Sequence, residues 1–274
     1  MDRHDSRRPG SLGHSLMVGK RQQIKSWFFR VNGRLCRSLD QFLPHKRNLY
    51  GDYQVAIRKA LSARPNQVLI DVGGGKACPF RGVGIGTTLV AVDVSHEELL
   101  ENKDVHARVV ADVVEGLPVG PERADLIVST SVLEHLTDVD RFVAQAQVAL
   151  RPGGRFVHLF PGRFSSFAVI NRLLGPRLSN RVLFFFKPEA RGTCGFRAYY
   201  DRTYESAMRR TLSRHGFELE EIRVNYYGSS YYVFFFPIYA LSVVYELMVY
   251  FLRRRNLAAH YLVVARKREH PSLI

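Results

Sequence analysis

The stretch Val68-Leu69-Ile70-Asp71-Val72-Gly73-Gly74-Gly75-Lys76-Ala77 constrains this chain more than any other. Its short apolar run, rich in β-branched residues, reads as a buried strand that ends on a carboxylate and breaks into three glycines. Glycines there serve a turn that needs positive φ, or a backbone that a ligand approaches closely. At the carboxyl end of a strand, facing the crevice of an α/β sheet, such a loop is a seat for a nucleotide-like molecule. The next apolar run, Thr88-Leu89-Val90-Ala91-Val92-Asp93, also closes on an acid and leads into Ser95-His96-Glu97-Glu98, a helix start. An ionised carboxylate only accepts hydrogen bonds, so Asp93 suits both hydroxyls of a ribose.

Five ordered motifs carry a resemblance. Asp71-x-Gly73-x-Gly75-x-Ala77, Asp93, Ala111-Asp112-Val113, Ala124 to Ser129, and Leu150-Arg151-Pro152-Gly153-Gly154 together resemble the class I S-adenosylmethionine-dependent methyltransferases. The likeness is to the small-molecule branch related to ubiquinone biosynthesis, the methyltransferase type 11 group, and covers about positions 50 to 160. It departs at Ala77, where the usual first motif ends on glycine. The resemblance implies an α/β fold: a doubly wound, seven-stranded, mostly parallel Rossmann-like sheet with strand seven antiparallel, an N-terminal helix and two insertions. It also implies that Asp71, Gly73, Gly74, Gly75, Asp93, Val94, Asp112, Val113 and Ser129 bind S-adenosyl-L-methionine, with Asp112 at the adenine amino group and Val113 against the ring. The competing cofactor is a nicotinamide dinucleotide, whose fingerprint wants a further glycine where this chain has Cys78. Asp71 would repel a pyrophosphate and suit a cationic methionine end.

The fourth apolar run opens into Ser129-Thr130-Ser131-Val132-Leu133-Glu134-His135. Enzymes that methylate a base amine usually place an Asn/Asp-Pro-Pro-aromatic motif here, and small hydroxyls replace it. Methyl transfer needs donor and acceptor held in line and, for a hydroxyl acceptor, a group to take the proton. His135 is the first candidate for that base and His158 the second. The alternative is that His135 merely precedes a helix capped by Thr137 and Asp138. No cluster with metal-ligand spacing is present, and the three cysteines, Cys36, Cys78 and Cys194, are odd in number and far apart, which suits a reduced cytoplasmic protein.

The net charge of +15 is unevenly spread. Residues 1–50 hold 11 Lys/Arg against 3 Asp/Glu, and residues 161–215 again 11 against 3, so the basicity is appended to a near-neutral cofactor-binding core. Such segments face phospholipid head groups, an anionic substrate or nucleic acid, or are simply a solvated surface. We divide the chain into a disordered basic tail (1–17), an amphipathic N-terminal helix or lid (18–49) and a methyltransferase domain (50–274). That domain has insertions at 162–202, an acceptor cap, and 226–258, an apolar excursion. In the N-terminal helix Ile24, Trp27, Phe28, Val31, Leu35 and Leu39 recur at helical spacing among lysines and arginines, so it packs as a lid, touches a membrane surface, or does both.

Residues 226–252 carry one charge, Glu246, and Gly228 and Pro237 divide them into an aromatic arm and a helix of about fifteen residues. Strand six ends and antiparallel strand seven begins at the same sheet edge, so the excursion dips into one leaflet beside the active site, packs on the domain, or forms a homodimer interface. Three functions are compatible with these features. The leading one is methylation of a hydroxyl or carbon on a small or membrane-associated acceptor (a lipid, quinone precursor or lipid-linked glycan) by a protein peripheral on the inner, cytoplasmic face of an anionic membrane. The others are an RNA methyltransferase and a non-catalytic, membrane-associated scaffold of the same fold.

Overall fold

The computed structural model describes residues 27–186 and 196–269, without the side chains of 176–180 and 182–186. The expected tail at 1–17, Ile24, the centre of the acceptor cap and Cys194 lie outside the described residues. Helices run over 27–40 (α1), Leu49–Ser62 (α2), His96–Glu101 (α3), Val139–Ala149 (α4), Ser166–Phe186 (α5), Glu205–Arg214 (α6) and Phe236–Phe251 (α7). Strands are β1 (Val68–Val72), β2 (Thr88–Asp93), β3 (Ala107–Val110), β4 (Ala124–Thr130), β5 (Leu150–Pro161), β6 (Phe217–Asn225) and β7 (His260–Lys267).

The seven strands form one sheet in the order β3-β2-β1-β4-β5-β7-β6. β1 to β5 pair in parallel and β7 is antiparallel to both its neighbours, as the resemblance implies. The strand order reverses at β1, so the crevice at the carboxyl ends of β1, β2 and β4 is where this architecture binds ligands. Period-two alternation sorts the apolar side chains to two faces. Ile70, Val72, Ile127 and Phe156 share one cluster with Phe142 of α4 and Met208 and Leu212 of α6. Leu69, Leu89, Leu126, Val128 and Val157 share the other with Tyr53, Ile57 and Leu61 of α2. Asp71 falls on the α2 face by the same alternation, which explains its company below.

One boundary differs from the sequence reading. β5 begins at Leu150, so Arg151 to Gly154, read as a helix stop and turn, are already part of a strand bulged against Ala124/Leu126. Pro237 marks the start of the excursion's helix, as the sequence reading has it: it is the second residue of the 16-residue α7, where a missing N–H costs nothing, and the aromatic arm before it holds a 3-10 turn at Ser229–Tyr232. α5 bends at Gly175, whose φ of 70° no helix interior allows.

The chain divides into two compact units. One comprises, among the described residues, 27–44 and 229–244; the other comprises 45–186, 196–228 and 245–269 and holds the whole sheet. The excursion departs from Asn225 and returns at His260, which pair with each other at the carboxyl edge of the sheet. None of the described helices is long and apolar enough to cross a membrane.

Candidate active site

A cleft of about 600 Å³ opens at the carboxyl ends of β1, β2 and β4. Gly73, Asp93, Val94, Asp112, Val113 and His135 line it, together with Thr130 at the end of β4, Ser131 and Val132 just after it, and Phe196, Arg197 and Tyr199 of the cap insertion. The remaining residues assigned from sequence stand behind this wall. Gly74 and Gly75 shape it, Asp71 is buried behind the bend, and Ser129 is fully buried with its hydroxyl 2.6 Å from Nδ1 of His158.

The glycine bend is built by a few specific contacts. Gly73 and Gly74 donate to the Val92 carbonyl at 2.7 and 3.3 Å, folding the loop back on β2. Gly73 has φ 68°, and a Cβ there would lie 2.3 Å from Cγ2 of Val132. A Cβ on Gly74 would meet that of Ala91 at 2.7 Å. Asn102, buried at the end of α3, donates its side-chain amide to the carbonyls of Gly74 (2.9 Å) and Gly75 (3.2 Å). Nothing in the run Glu101-Asn102-Lys103 singles Asn102 out, because its partners lie 27 and 28 positions away. Gly73→Ala is therefore expected to displace Val132 into the cleft and weaken binding of the nucleoside by about tenfold or more, since left-handed backbone costs alanine roughly 1–2 kcal/mol before the clash is counted. Val132→Ala in the same chain removes the clashing methyl and should return part of that loss; titration calorimetry with S-adenosylhomocysteine measures both.

Asp93 is held twice. One carboxylate oxygen accepts from the Gly75 amide (3.0 Å) and the other from the Ser95 amide (2.9 Å), while Ser95 caps α3 by accepting from Glu98. A carboxylate offers about four acceptor positions, so roughly two remain for a diol. Asp112 accepts from the Val114 amide at 2.9 Å, fixing the turn that brings Val113 to the wall. Asp71 is bonded to the Cys78 thiol, and burial, opposed by that bond and reinforced by Asp93, pushes its carboxyl up to about 7. Burial and Asp71 in turn push the Cys78 thiol up to about 12, so it stays a thiol and packs as a small apolar group. Tyr53 closes this pocket from α2, its hydroxyl bonded to Thr130 and held well above the usual phenol range by burial.

His135 sits in a 3-10 turn, Leu133–His135, half-exposed on the cleft. Its Nδ1 is 3.1 Å from the Arg197 carbonyl. A carbonyl can only accept, so Nδ1 carries the proton and the neutral ring keeps its lone pair on Nε2. The Glu134 carbonyl accepts from the amides of Tyr199 (2.7 Å) and Tyr200 (3.0 Å), tying the cap to the same turn. Burial pushes the Glu134 carboxyl up to about 8, so at neutral pH it is mostly protonated beside the ring, 3.7 Å from Nε2. His158, the second candidate base, is excluded by position: it is fully buried, its ring centroid 3.7 Å from that of Phe156, and burial holds its imidazole well below the usual range.

The residues present fit a sulfonium nucleoside. The bend at Gly73 leaves a cradle that a Cβ would fill, Asp93 retains acceptor capacity, and Val94 and Val113 are apolar neighbours for a ring. Residues 70–158 match the family described as "Methyltransferase domain". A ubiquinone biosynthesis O-methyltransferase of Mesorhizobium japonicum is 34% identical over 141 residues, 46% of this chain and 55% of that protein. A malonyl-[acyl-carrier protein] O-methyltransferase of Chlorobium luteolum is 35% identical over 101 residues, 34% of this chain and 36% of that protein. The chain thus spans about half the length, or less, of these curated relatives. Among solved structures, an S-adenosylmethionine-dependent methyltransferase from Mesorhizobium loti superposes with a TM-score of 0.51 at 19% identity, over 77% of this chain and 96% of that one. Residues 70–158 thus match a methyltransferase domain, and the fold around them is shared with that S-adenosylmethionine-dependent methyltransferase.

Proposed function

We propose that this protein transfers the methyl group of S-adenosylmethionine to a hydroxyl of a small, membrane-associated acceptor. The observation that carries the reading is the meeting, in one cleft, of the Gly73 bend, a doubly anchored Asp93 and a His135 ring whose free lone pair is on Nε2. S-adenosylmethionine, when bound, supplies a methyl group on a sulfonium, a leaving group that needs no protein acid. Asp93 would hold the ribose hydroxyls, Asp112 and Val113 the base, and the backbone at Gly73 the amino-acid end. His135 would accept the acceptor's hydroxyl proton at Nε2, with the Arg197 carbonyl holding the ring in the tautomer this requires. Phe196, Arg197 and Tyr199 cover the acceptor side with two aromatic rings and a cation, which suits an apolar acceptor with an anionic group. Both curated relatives are named as O-methyltransferases, which favours a hydroxyl or carboxyl oxygen as acceptor over carbon.

The test is incubation of the chain with methyl-labelled donor and either a membrane lipid extract or total RNA. Label in the lipid fraction is the expected result; label in RNA alone would replace the proposal with the nucleic-acid reading. His135→Gln should lower the turnover of the lipid acceptor by about a hundredfold or more while leaving donor affinity within a few fold, since a positioned base contributes roughly 10²–10⁴. An unchanged turnover would remove His135 from the chemistry.

A further inference from the structure

The smaller unit buries Tyr232, Tyr239 and Val243 and stacks Phe28 on Phe235, yet leaves much of its apolar surface outside. α1 packs on the 3-10 turn and the start of α7 with its Asn32, Cys36 and Asp40 face. Asn32 donates to the Phe28 carbonyl and accepts from the Phe236 amide, Cys36 donates to the Val233 carbonyl, and Asp40 accepts from the Tyr239 hydroxyl. The polar side chains are turned in and individually satisfied. Several large apolar ones are turned out: Trp27 is 61% exposed, Phe42 74% and Leu241 71%. The stripe expected from sequence at Trp27, Val31 and Leu35 exists, but it faces away from the contact that holds α1. On the part of α7 that belongs to this unit, Ile238, Leu241 and Val244 are exposed at a spacing of three, forming a second outward stripe about two turns long.

Water does not favour such an arrangement, and the charges identify what does. Arg30, Arg34 and Arg37 are interleaved with the α1 stripe, and residues 229–244 contain no acidic or basic side chain. Arginines beside exposed aromatics can lay their stems on an apolar surface and place their guanidinium groups among anionic head groups. α7, at 16 residues, is too short to span a bilayer core of about 30 Å at 1.5 Å per residue, so its stripe can only lie in the interface.

We infer that the smaller unit is an interfacial docking surface for anionic phospholipid, seated through the outward stripes of α1 and α7. The inference rests on the proposed function only in giving the docked state its use, delivery of a membrane acceptor. Trp27 is the sole tryptophan of the chain, so its fluorescence reports the docking without a label. With the full chain, phosphatidylcholine vesicles containing phosphatidylglycerol should shift Trp27 emission to the blue and carry the protein on flotation, and salt should weaken both. Pure phosphatidylcholine should do neither. Leu241→Ser and Phe42→Ser should each weaken partitioning by about tenfold, and Arg34→Ala with Arg37→Ala by about tenfold or more. Emission and flotation unchanged by anionic vesicles would overturn the inference. So would equal binding to pure phosphatidylcholine, or Trp27 already blue-shifted in buffer with a dimer by light scattering, which would assign the surface to a second copy. Calorimetry with S-adenosylhomocysteine on the same sample separates the two ideas, because failure there removes the methyl-donor reading and leaves the vesicle result standing.

Discussion

Asp93→Ala lowers the affinity of the chain for S-adenosylhomocysteine by at least about a hundredfold, with a smaller loss of stability. The ordering of these two effects follows from what the carboxylate already does. Two of its acceptor positions hold the Gly75 and Ser95 amides, so removing it frees the glycine bend and uncaps the turn before α3. Each of these charge-assisted bonds contributes roughly 1.5–3 kcal/mol, part of which water returns to exposed amides. The positions left for a ribose diol would supply two more bonds of the same kind, together about 3–6 kcal/mol of binding and therefore two to four orders of magnitude. Asp93→Asn keeps one oxygen but brings an NH₂ group against one of the two backbone donors, so it is expected to lose nearly as much affinity. Calorimetric titration beside a thermal melt resolves the two effects. An Asp93→Ala chain that binds within threefold of the parent would show that the diol is held elsewhere.

The same residues show how far the sequence could be read. The strands were legible because a sheet covered on both faces is written as short apolar runs, and Val68–Val72 and Thr88–Asp93 lie where the runs predict. The acids at the ends of β1 and β2 were legible for the same reason, since a carboxylate closing an apolar run has only the sheet edge to reach. What the run does not say is where the edge falls. β4 continues one residue past Ser129, and the register Ser129↔His158 turns the serine into the core as a cross-strand neighbour of the histidine. The hydroxyls that reach the cleft are those of Thr130 and Ser131, the latter at φ 55°, a conformation that nothing in Ser-Thr-Ser announces. Asn102 and the tie between Glu134 and the cap depend on pairings distant along the chain, which local patterns do not record. The amphipathic stripe of α1 was visible as a period, but a period gives no direction. Which face turns inward was decided by the hydrogen bonds available to Asn32, Cys36 and Asp40.

Between about pH 6.5 and 8 the ligand-free protein loses stability as pH rises, and Asp71→Asn removes part of that slope. Asp71 and Glu134 are acids whose folded values stand near 7 and 8, above their ordinary 3.8 and 4.5, because burial disfavours the ionised form. Their stability contribution is complete below the ordinary carboxylate range and is lost as pH climbs towards and through those folded values, at up to about 1.4 kcal/mol per pH unit for each group, the loss levelling off once the folded value is passed. The buried imidazoles of His158 and His260 run the other way, being held below 6.5, and they offset the acids chiefly under more acid conditions. At 6.5 the unfolded imidazoles are still half protonated and offset part of the loss, and above about 7.5 they are nearly all neutral in both states and the acids act alone. Most of the roughly 4 kcal/mol that ionising Asp71 costs by pH 8 is already lost below pH 6.5, so the difference in unfolding free energy between Asp71→Asn and the parent should widen by only about 1 kcal/mol across the window. A cation in the cleft reverses the balance, because it favours the carboxylate that the empty protein disfavours. S-adenosylmethionine should therefore bind more tightly as pH rises through 7 and release about half a proton there, read as a dependence of the binding enthalpy on the ionisation enthalpy of the buffer. In Asp71→Asn that release should vanish while the protein melts higher at pH 8. A parent melting temperature that rises over the same window, with no proton released on binding, would mean that Asp71 is already ionised and that its charge is compensated from within the protein.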